Sequence, residues 1–379
     1  MRKLLYFAIL GLCLFEIANV YFIMPMPGSQ EMQSIGGAYF LYHWRWVFRI
    51  LLGLIILYGL KTAFQKSKIF SIFSILIVAG IAYATNFEMA ADAMFLQPPT
   101  IQMSQVAQNK VDTSRIIIGV EYNGAAKAYP IQFLGYHHQV FDTIADKPII
   151  VTYCTVCRSA RVFEPVVNGM LEKFRLVGMD HFNAMFEDKT THSWWRQATG
   201  EAIAGPLKGQ FLPEMSSSQM ALKQWLALYP NSTIMQSDQL FQMEYDSMSN
   251  YEAGRRTGTL TRRDSVSWEK KSWVVGIKVG NVYKAYDWND LIQHRLIHDI
   301  VNDKPIVVVL ANDNKSFSVL QRMSPTQVFN WQNDTLSDQK HHYNLLGIPT
   351  EPGIDRLKKI KAYQEYWHSW KTFHPETLH

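Results

Sequence analysis

The chain has 379 residues, a formal net charge of +5 and 18% charged residues. This length is enough for two or three domains, and the absence of runs of like charge gives no reason to expect nucleic-acid binding. Three cysteines are too few for a disulfide framework, whereas 11 Trp and 18 Tyr favour a folded, β-rich body.

The chain begins with three apolar segments, at residues 4–23, 39–60 and 69–87. Each is close to the ~20 residues that a helix needs to cross the hydrocarbon of a bilayer. We therefore predict a three-helix membrane anchor over residues 1–87.

The basic residues beside these segments predict an orientation. Five lie on one side of the predicted membrane: Arg2, Lys3, Lys61, Lys66 and Lys68. The other side has only Arg45 and Arg49. The excess of positive charge predicts a cytoplasmic N-terminus and a multi-pass cell-membrane protein. Everything after Phe87 is then extracytoplasmic, either periplasmic or external. A cleaved signal peptide is the alternative reading of the first segment, and it leaves the large domain on the same side.

After a linker at residues 88–110, the sequence repeats. The segment "GVEYNGAAKAYP" from Gly119 resembles "GIKVGNVYKAYD" from Gly276, and 14 of the 45 positions from 118 to 162 are identical at an offset of 157. We predict an internal duplication, with a first copy at 111–236, a connector at 237–265 and a second copy at 266–379.

Most apolar positions within a copy alternate, and Asn-Gly pairs at 123–124 and 168–169 predict hairpins. The predicted fold class is mainly antiparallel β (α+β), with about one helix per copy. The predicted helix runs over residues 217–228. Predicted strands lie at 115–122, 125–129, 147–153, 159–166 and 171–177, with shorter ones near 200–212.

The first copy contains a Cys-x-x-Cys pair, Cys154 and Cys157. The second copy has Ala311 and Asn314 at these positions, so the fold does not require the sulfurs. The spacing suits three chemistries: a soft-metal site for Zn or Cu, a thiol–disulfide redox centre assisted by Arg158, and a small structural disulfide. A thioredoxin fold is not expected, because the residues after the pair predict a hairpin.

A metal site needs donors beyond two thiolates, and His137, His138 and His181 are the candidates. His137 has a histidine counterpart in the second copy, His294, which favours a structural role for it. A c-type haem is excluded, because Arg158 stands where that motif requires histidine. No phosphate loop is present, so no nucleotide cofactor is expected.

A second cluster of aromatic and polar residues lies at 187–209. It predicts either a Trp-filled core or one wall of a pocket beside the cysteines. The candidate pocket residues are Tyr153, His192, Trp195, Arg196, Gln197 and Glu201.

These residues carry a family resemblance. The run Thr152-Tyr153-Cys154-Thr155-Val156-Cys157, the run from Asp188 to Ala202, and the Tyr229-Pro230 and His374-Pro375 pairs are similar to domain-of-unknown-function 3179. The resemblance covers about residues 95–379 and implies no established activity. We therefore expect a membrane-bound protein whose best candidate function is soft-metal binding. The alternatives are thiol–disulfide exchange and a non-catalytic envelope interaction module, and the partner is an unknown small ligand or envelope protein.

Overall fold

The computed structural model describes residues 2–379. The chain forms two compact units. The helical unit contains the chain up to Leu96 together with Glu172–Arg196 and Glu201–Phe211. The β unit contains Gln97–Leu171, Gln197–Gly200 and Leu212–His379. Residues 172–196 and 201–211 of the predicted first copy thus belong to the unit that holds the apolar helices.

The helices of the described chain are mostly short outside the N-terminal region. They are α1 Arg2–Tyr21, α2 Ile35–His43, α3 Arg45–Lys66, α4 Lys68–Tyr83, α5 Ala91–Met94, α6 Ile131–His137, α7 Leu222–Leu228, α8 Gln242–Ser247, α9 Ser249–Glu252, α10 Trp288–His294 and α11 Trp367–Phe373.

The strands pair almost entirely antiparallel. They are β1 Met103–Ser104, β2 Ile116–Tyr122, β3 Ala125–Pro130, β4 Gln139–Ile144, β5 Lys147–Cys154, β6 Ser159–Phe163, β7 Val166–Val167, β8 Met170–Leu171, β9 Phe174–Asp180, β10 Asn183–Asp188, β11 Trp194–Arg196, β12 Ala202–Ala204, β13 Ser218–Ala221, β14 Thr233–Met235, β15 Trp273–Val279, β16 Val282–Asp287, β17 Leu296–Val301, β18 Lys304–Leu310, β19 Phe317–Gln321, β20 Asn330–Gln332, β21 Thr335–Ser337, β22 His342–Tyr343, β23 Lys358–Ile360 and β24 Ala362–Tyr366.

Three helices of the helical unit are long and apolar enough to cross a membrane: Lys3–Tyr21, Arg45–Lys66 and Lys68–Glu88. The second span corrects the predicted segment 39–60, because the helix breaks at Trp44. Arg45 donates to the carbonyl of Tyr42 at 2.6 Å, which satisfies a carbonyl left without a helical partner at the end of α2. The apolar helix therefore starts at Arg45 and continues past Leu60 to Lys66.

The helical unit also contains a four-stranded sheet in the order β12-β11-β10-β9. Its β9 strand lies against the chain after α1, since the amide of Met179 donates to the carbonyl of Ile23 at 2.7 Å. A Cβ added to Gly178 would lie 2.3 Å from the same carbonyl, so only glycine permits this approach.

The β unit contains one order of elements twice. The series β2, β3, α6, β4, β5, β6 recurs as β15, β16, α10, β17, β18, β19, and each of the first four begins and ends 157 residues before its counterpart. We call residues 111–171 with 212–236 the first half, and residues 266–379 the second half. In both, a glycine lies beneath a tryptophan ring: Gly119 under Trp225 and Gly276 under Trp370.

Several local predictions can be compared with this fold. The Asn-Gly pairs form the predicted hairpins, with positive φ at Asn123, Gly124, Asn168 and Gly169. The predicted helix at 217–228 is correct only in its second part, because 218–221 is the strand β13, paired with β2. The sequence also missed the short helix α6 and its counterpart α10, whose seven residues are too few for a periodic signal.

Candidate functional site

The two cysteines lie at the junction of β5 and β6. Cys154 ends β5 and pairs with Ser159 at the start of β6, so Cys157 lies in the four-residue turn between them. Arg158 has the left-handed conformation, with φ 55°, which closes the turn. Both cysteines are fully buried, and both are free thiols.

Residues from the connector and the second half cover this turn. The ammonium of Lys271 donates to the carbonyl of Val156 at 2.7 Å and lies 4.7 Å from the centre of the Tyr366 ring. The amide of Tyr366 donates to the carbonyl of Cys157 at 2.9 Å. The dithiol is therefore enclosed by chain that lies more than 100 residues away in the sequence.

A polar chain extends from the Cys157 sulfur. The hydroxyl of Ser369 is within hydrogen-bonding reach of Cys157 and donates to Glu365 at 2.7 Å. Glu365 also pairs with Arg161, at 2.6 Å, in a fully buried ion pair. Glu365, itself paired with Arg161, therefore holds the Ser369 hydroxyl of α11 near Cys157.

The Arg158 side chain contacts residues of the connector and of the second half. Its guanidinium carbon is 3.8 Å from the centre of the Trp273 ring, and its Nε donates to Gln364 at 3.0 Å. The remaining nitrogens donate to the carbonyls of Tyr251 and Glu252. The side chain bridges the two halves and is fully buried.

The electrostatics of the dithiol favour neutral sulfur. Burial raises the pKa of Cys157 well above 9, and its neighbour Cys154 adds to this, outweighing Ser369 and Lys271, which lower it. Burial also lowers the pKa of Lys271 to about 8, although the two cysteines oppose that shift. Lys271 can therefore exchange its proton close to neutral pH, immediately beside the two thiols.

The predicted histidine ligands have other partners. The Nδ1 of His138 donates to the Tyr153 carbonyl at 2.9 Å, and burial lowers the pKa of His138 to about 4. The Nε2 of His137 is 2.6 Å from the Tyr245 hydroxyl. His181 belongs to the helical unit, where its Nδ1 is 2.6 Å from Asp180.

Among the described residues 2–379, no group of three or more His, Cys, Asp or Glu side chains is placed to hold a metal ion. The tetrahedral set that zinc requires is therefore not assembled around the two sulfurs.

The predicted pocket residues divide between the two units. Tyr153 and Gln197 belong to the β unit, whereas His192, Trp195, Arg196 and Glu201 belong to the helical unit. Gln197 contacts the cysteine hairpin, because its Oε1 accepts from Ser159 at 2.6 Å and its Nε2 donates to Thr152 at 3.1 Å. The hydroxyl of Tyr153 is 3.2 Å from that of Tyr251.

In the helical unit, these residues form a separate network of carboxylates. Arg196 pairs with Asp180 at 2.6 Å and with Glu201 at 3.1 Å. Burial raises the pKa of Asp180, but hydrogen bonds from His181 and Arg196 outweigh it and lower that pKa overall. The Trp195 indole donates to Asp188 at 2.9 Å. His192 is 3.5 Å from Glu187 and largely exposed.

Sequence reasoning missed Lys271, Tyr366 and Ser369. None lies in a motif, and all three come from the connector or from the copy without cysteines. The covering of the dithiol depends on how the two halves pack together.

One family profile matches most of the chain. Residues 96–377 match the profile described as "Protein of unknown function (DUF3179)". The chain belongs to this family. No curated protein and no solved structure matches the chain. The family match covers both halves and includes Cys154 and Cys157, but it assigns them no activity.

Proposed function

We propose that Cys154 and Cys157 form a redox-active dithiol that cycles with an intramolecular disulfide. The observation that carries this proposal is the pair of fully buried free thiols at one turn, whose Val156 carbonyl accepts from the Lys271 ammonium at 2.7 Å. Oxidation releases two electrons and two protons to an external disulfide, which becomes two thiols, and the new bond joins the two sulfurs.

Burial disfavours two permanent thiolates, and exchange with an external disulfide requires the residues that cover the dithiol to move aside. The dithiol and the disulfide are both neutral, so neither end state places a net charge on sulfur in the dry interior. A metal site instead needs two buried negative charges. The transient thiolate of exchange requires a nearby cation or base, and Lys271 with a pKa of about 8 supplies it.

A soft-metal site is the second candidate. The sequence predicted Zn or Cu, and this candidate is now restricted to Cu. With two sulfurs and no assembled set of three donors in the described chain, zinc lacks its ligands. A single Cu⁺ suits two thiolates, because soft sulfur ligands select it and the Lys271 ammonium balances the remaining negative charge. The proximity of Lys271 to both sulfurs is the observation that favours this candidate.

Two further proposals concern the context of the site. The halves of the β unit descend from one duplicated segment, which the recurring order of elements supports. The β unit is extracytoplasmic, which the distribution of basic residues beside the apolar helices supports. An extracytoplasmic dithiol would exchange with a small disulfide or an envelope protein in an oxidising compartment.

The test is a redox titration of the full chain in detergent, with thiols trapped by alkylation and counted by mass spectrometry. At positions 154 and 157 we expect two alkylated cysteines under reducing conditions and none under oxidising ones, whereas Cys13 has no partner and is counted separately. The reversible midpoint should fall within the range of about −120 to −270 mV found for catalytic dithiols. A disulfide that resists reduction below about −300 mV would instead indicate a structural staple.

A variant series tests the role of Lys271. We expect Lys271→Met to slow disulfide formation roughly tenfold, because the transient thiolate loses its cation. The control is Lys304→Gln, an exposed lysine on β18, which should leave the rate unchanged. Elemental analysis of the same sample separates the candidates: one copper per chain that protects both thiols from alkylation would overturn the redox proposal.

A further inference from the structure

The helical unit contains a cavity of about 500 Å³ that is lined mainly by aromatic rings, and we call it the aromatic cavity. All of its lining residues belong to this unit, and they come from α2, from the start of α3 and from the chain between β9 and β11. Five of the eight lining side chains are rings: Tyr39, Tyr42, His43, Trp46 and His192. A cavity of this size suits one small molecule, and the rings favour a planar ligand that can stack on them.

The fixed charges beside the aromatic cavity cancel. Two arginines line it, Arg45 and Arg175. Two carboxylates match them, because Arg175 pairs with Glu187 at 2.7 Å and with Asp92 at 3.1 Å. A ligand with a net charge would therefore lie there without a counterion, and the aromatic cavity suits a neutral ligand.

The lining side chains offer hydrogen-bond donors. Glu187, the carboxylate that lines the cavity, already accepts from Arg175 at 2.7 Å and from the Trp194 indole at 3.0 Å. The Tyr42 hydroxyl oxygen accepts from Arg175, whereas the hydroxyl hydrogens of Tyr39 and Tyr42 have no acceptor within residues 2–379. Burial is the largest cause that raises the pKa of both tyrosines, so both hydroxyls keep their protons.

Arg45 adds further donors to the aromatic cavity. Its guanidinium carbon lies 3.8 Å from the centre of the Tyr42 ring, and its Nη1 donates to the Tyr42 carbonyl at 2.6 Å. A guanidinium has more N–H groups than this single bond uses. A ligand that matches the aromatic cavity must therefore supply acceptors and needs no donor of its own.

An exposed apolar stripe leads away from the aromatic cavity along α3. Trp46, Ile50, Leu54 and Leu57 follow helical spacing and are 58–65% exposed. On a membrane-spanning helix such a stripe faces the hydrocarbon, and Trp46 has the position of an interfacial aromatic residue. A ligand with an apolar tail can therefore enter the aromatic cavity from the membrane.

We propose that the aromatic cavity binds the ring of a membrane quinone, whose carbonyl oxygens accept from Tyr39, Tyr42 and Arg45. A quinone ring is neutral and planar, and its carbonyl groups are acceptors without donors. Its apolar tail lies along the α3 stripe. A phospholipid fits less well, because its phosphodiester is charged and it has no ring to stack. This site does not depend on the function proposed for Cys154 and Cys157.

Native mass spectrometry of the full chain in detergent tests this proposal. Decylubiquinone, a benzoquinone with an alkyl tail, is added to one sample, and its reduced form, decylubiquinol, is added to another. We expect saturable binding of one quinone per chain and roughly tenfold weaker binding of the quinol, because the hydroxyl hydrogens of the quinol would face donors. Equal binding of the two forms, or no saturable binding of the quinone, would overturn the proposal.

Two variants test the donors. We expect Tyr39→Phe to weaken quinone binding about fivefold, because it removes one donor and keeps the ring, and Arg45→Met to weaken it by a similar factor. The matched control is Tyr58→Phe, on an exposed part of α3 outside the aromatic cavity, which should bind quinone like the wild type. Unchanged binding in both Tyr39→Phe and Arg45→Met would contradict the proposed site. Displacement of the quinone by equimolar phosphatidylglycerol would indicate a phospholipid site and would also contradict it.

Discussion

The turn after β5 in the first half and the turn after β18 in the second half have the same length, but they lie in different environments, and the left-handed residue is Arg158 in the first and Asn314 in the second. Cys154 pairs with Ser159, and in the second half the amide of Ala311 donates to the carbonyl of Ser316 at 2.8 Å. In the first half residues 156–158 are buried, whereas residues 312–314 of the second half are exposed.

The exposed turn satisfies its own polar groups. Asp313 accepts from the backbone amides of Lys315 and Ser316, both at 2.8 Å. The buried turn depends on distant residues instead, since Lys271 donates to Val156 and the Tyr251 hydroxyl donates to Thr155. The exposed turn is therefore stabilised by its own side chains, whereas the enclosure of the cysteines requires the rest of the β unit.

We expect the largest difference in stability between variants of Arg158 and variants of Lys315, its counterpart in the second half. Arg158→Ala removes a fully buried guanidinium and leaves Gln364 and two carbonyls without their donor, so we expect a loss of about 3–5 kcal/mol. Lys315→Ala, in a largely solvated turn, should cost less than about 1 kcal/mol. Chemical unfolding of the full chain in detergent, followed by tryptophan fluorescence, measures both. Similar losses would show that burial does not distinguish the turns.

The next prediction concerns the glycine that packs under a tryptophan ring in each half. A Cβ on Gly119 would lie 2.4 Å from the Trp225 ring, and one on Gly276 would lie 2.2 Å from the Trp370 ring. Both rings are buried and donate their indole hydrogen at 2.8 Å, to Ser232 and Thr377. Gly119→Ala and Gly276→Ala should each cost about 1–3 kcal/mol through overpacking. A loss confined to one variant would contradict the equivalence of the two packing sites.

Removal of both sulfurs should have a smaller effect on stability. The second half builds the turn with Ala311, so the double variant Cys154→Ala with Cys157→Ala should still fold. We expect roughly 1 kcal/mol per cysteine, less than the ~2–5 kcal/mol of losing a native disulfide. Circular dichroism and the unfolding midpoint are the measurements. An unfolded product would assign the cysteines a structural role.

A further prediction is a pH dependence of stability. Burial lowers the pKa of Lys271 from 10.5 to about 8, so between these values the unfolded chain binds a proton that the folded chain has released. The stability of the wild type relative to Lys271→Met should therefore rise as the pH increases from about 8 to 10.5, and stay constant below that window. Unfolding midpoints of both proteins across pH 7–11 measure this. If the stability of the wild type relative to Lys271→Met instead falls as the pH rises from about 8 to 10.5, folding stabilises the charged form of Lys271.

The local features of the fold could be predicted from sequence patterns. Alternating apolar residues and Asn-Gly pairs placed most strands and two hairpins, because these signals depend on neighbouring residues alone. The offset of 157 aligned the two halves, and the Cys-x-x-Cys spacing identified the sulfurs that the structure brings into contact. The three apolar helices followed from length and hydropathy, although the break at Trp44 depended on a side chain returning to a carbonyl.

The surroundings of the dithiol depend on tertiary packing. Lys271, Tyr366 and Ser369 reach Cys157 because the second half packs against the first, and contacts across more than 100 residues leave no periodic or spacing signal. The same holds for the predicted histidines. His137 ends α6 and His138 follows it; their rings hydrogen-bond to Tyr245 and to the Tyr153 carbonyl, and burial lowers the pKa of His138 to about 4. Partners and protonation states depend on burial, which a sequence motif does not specify.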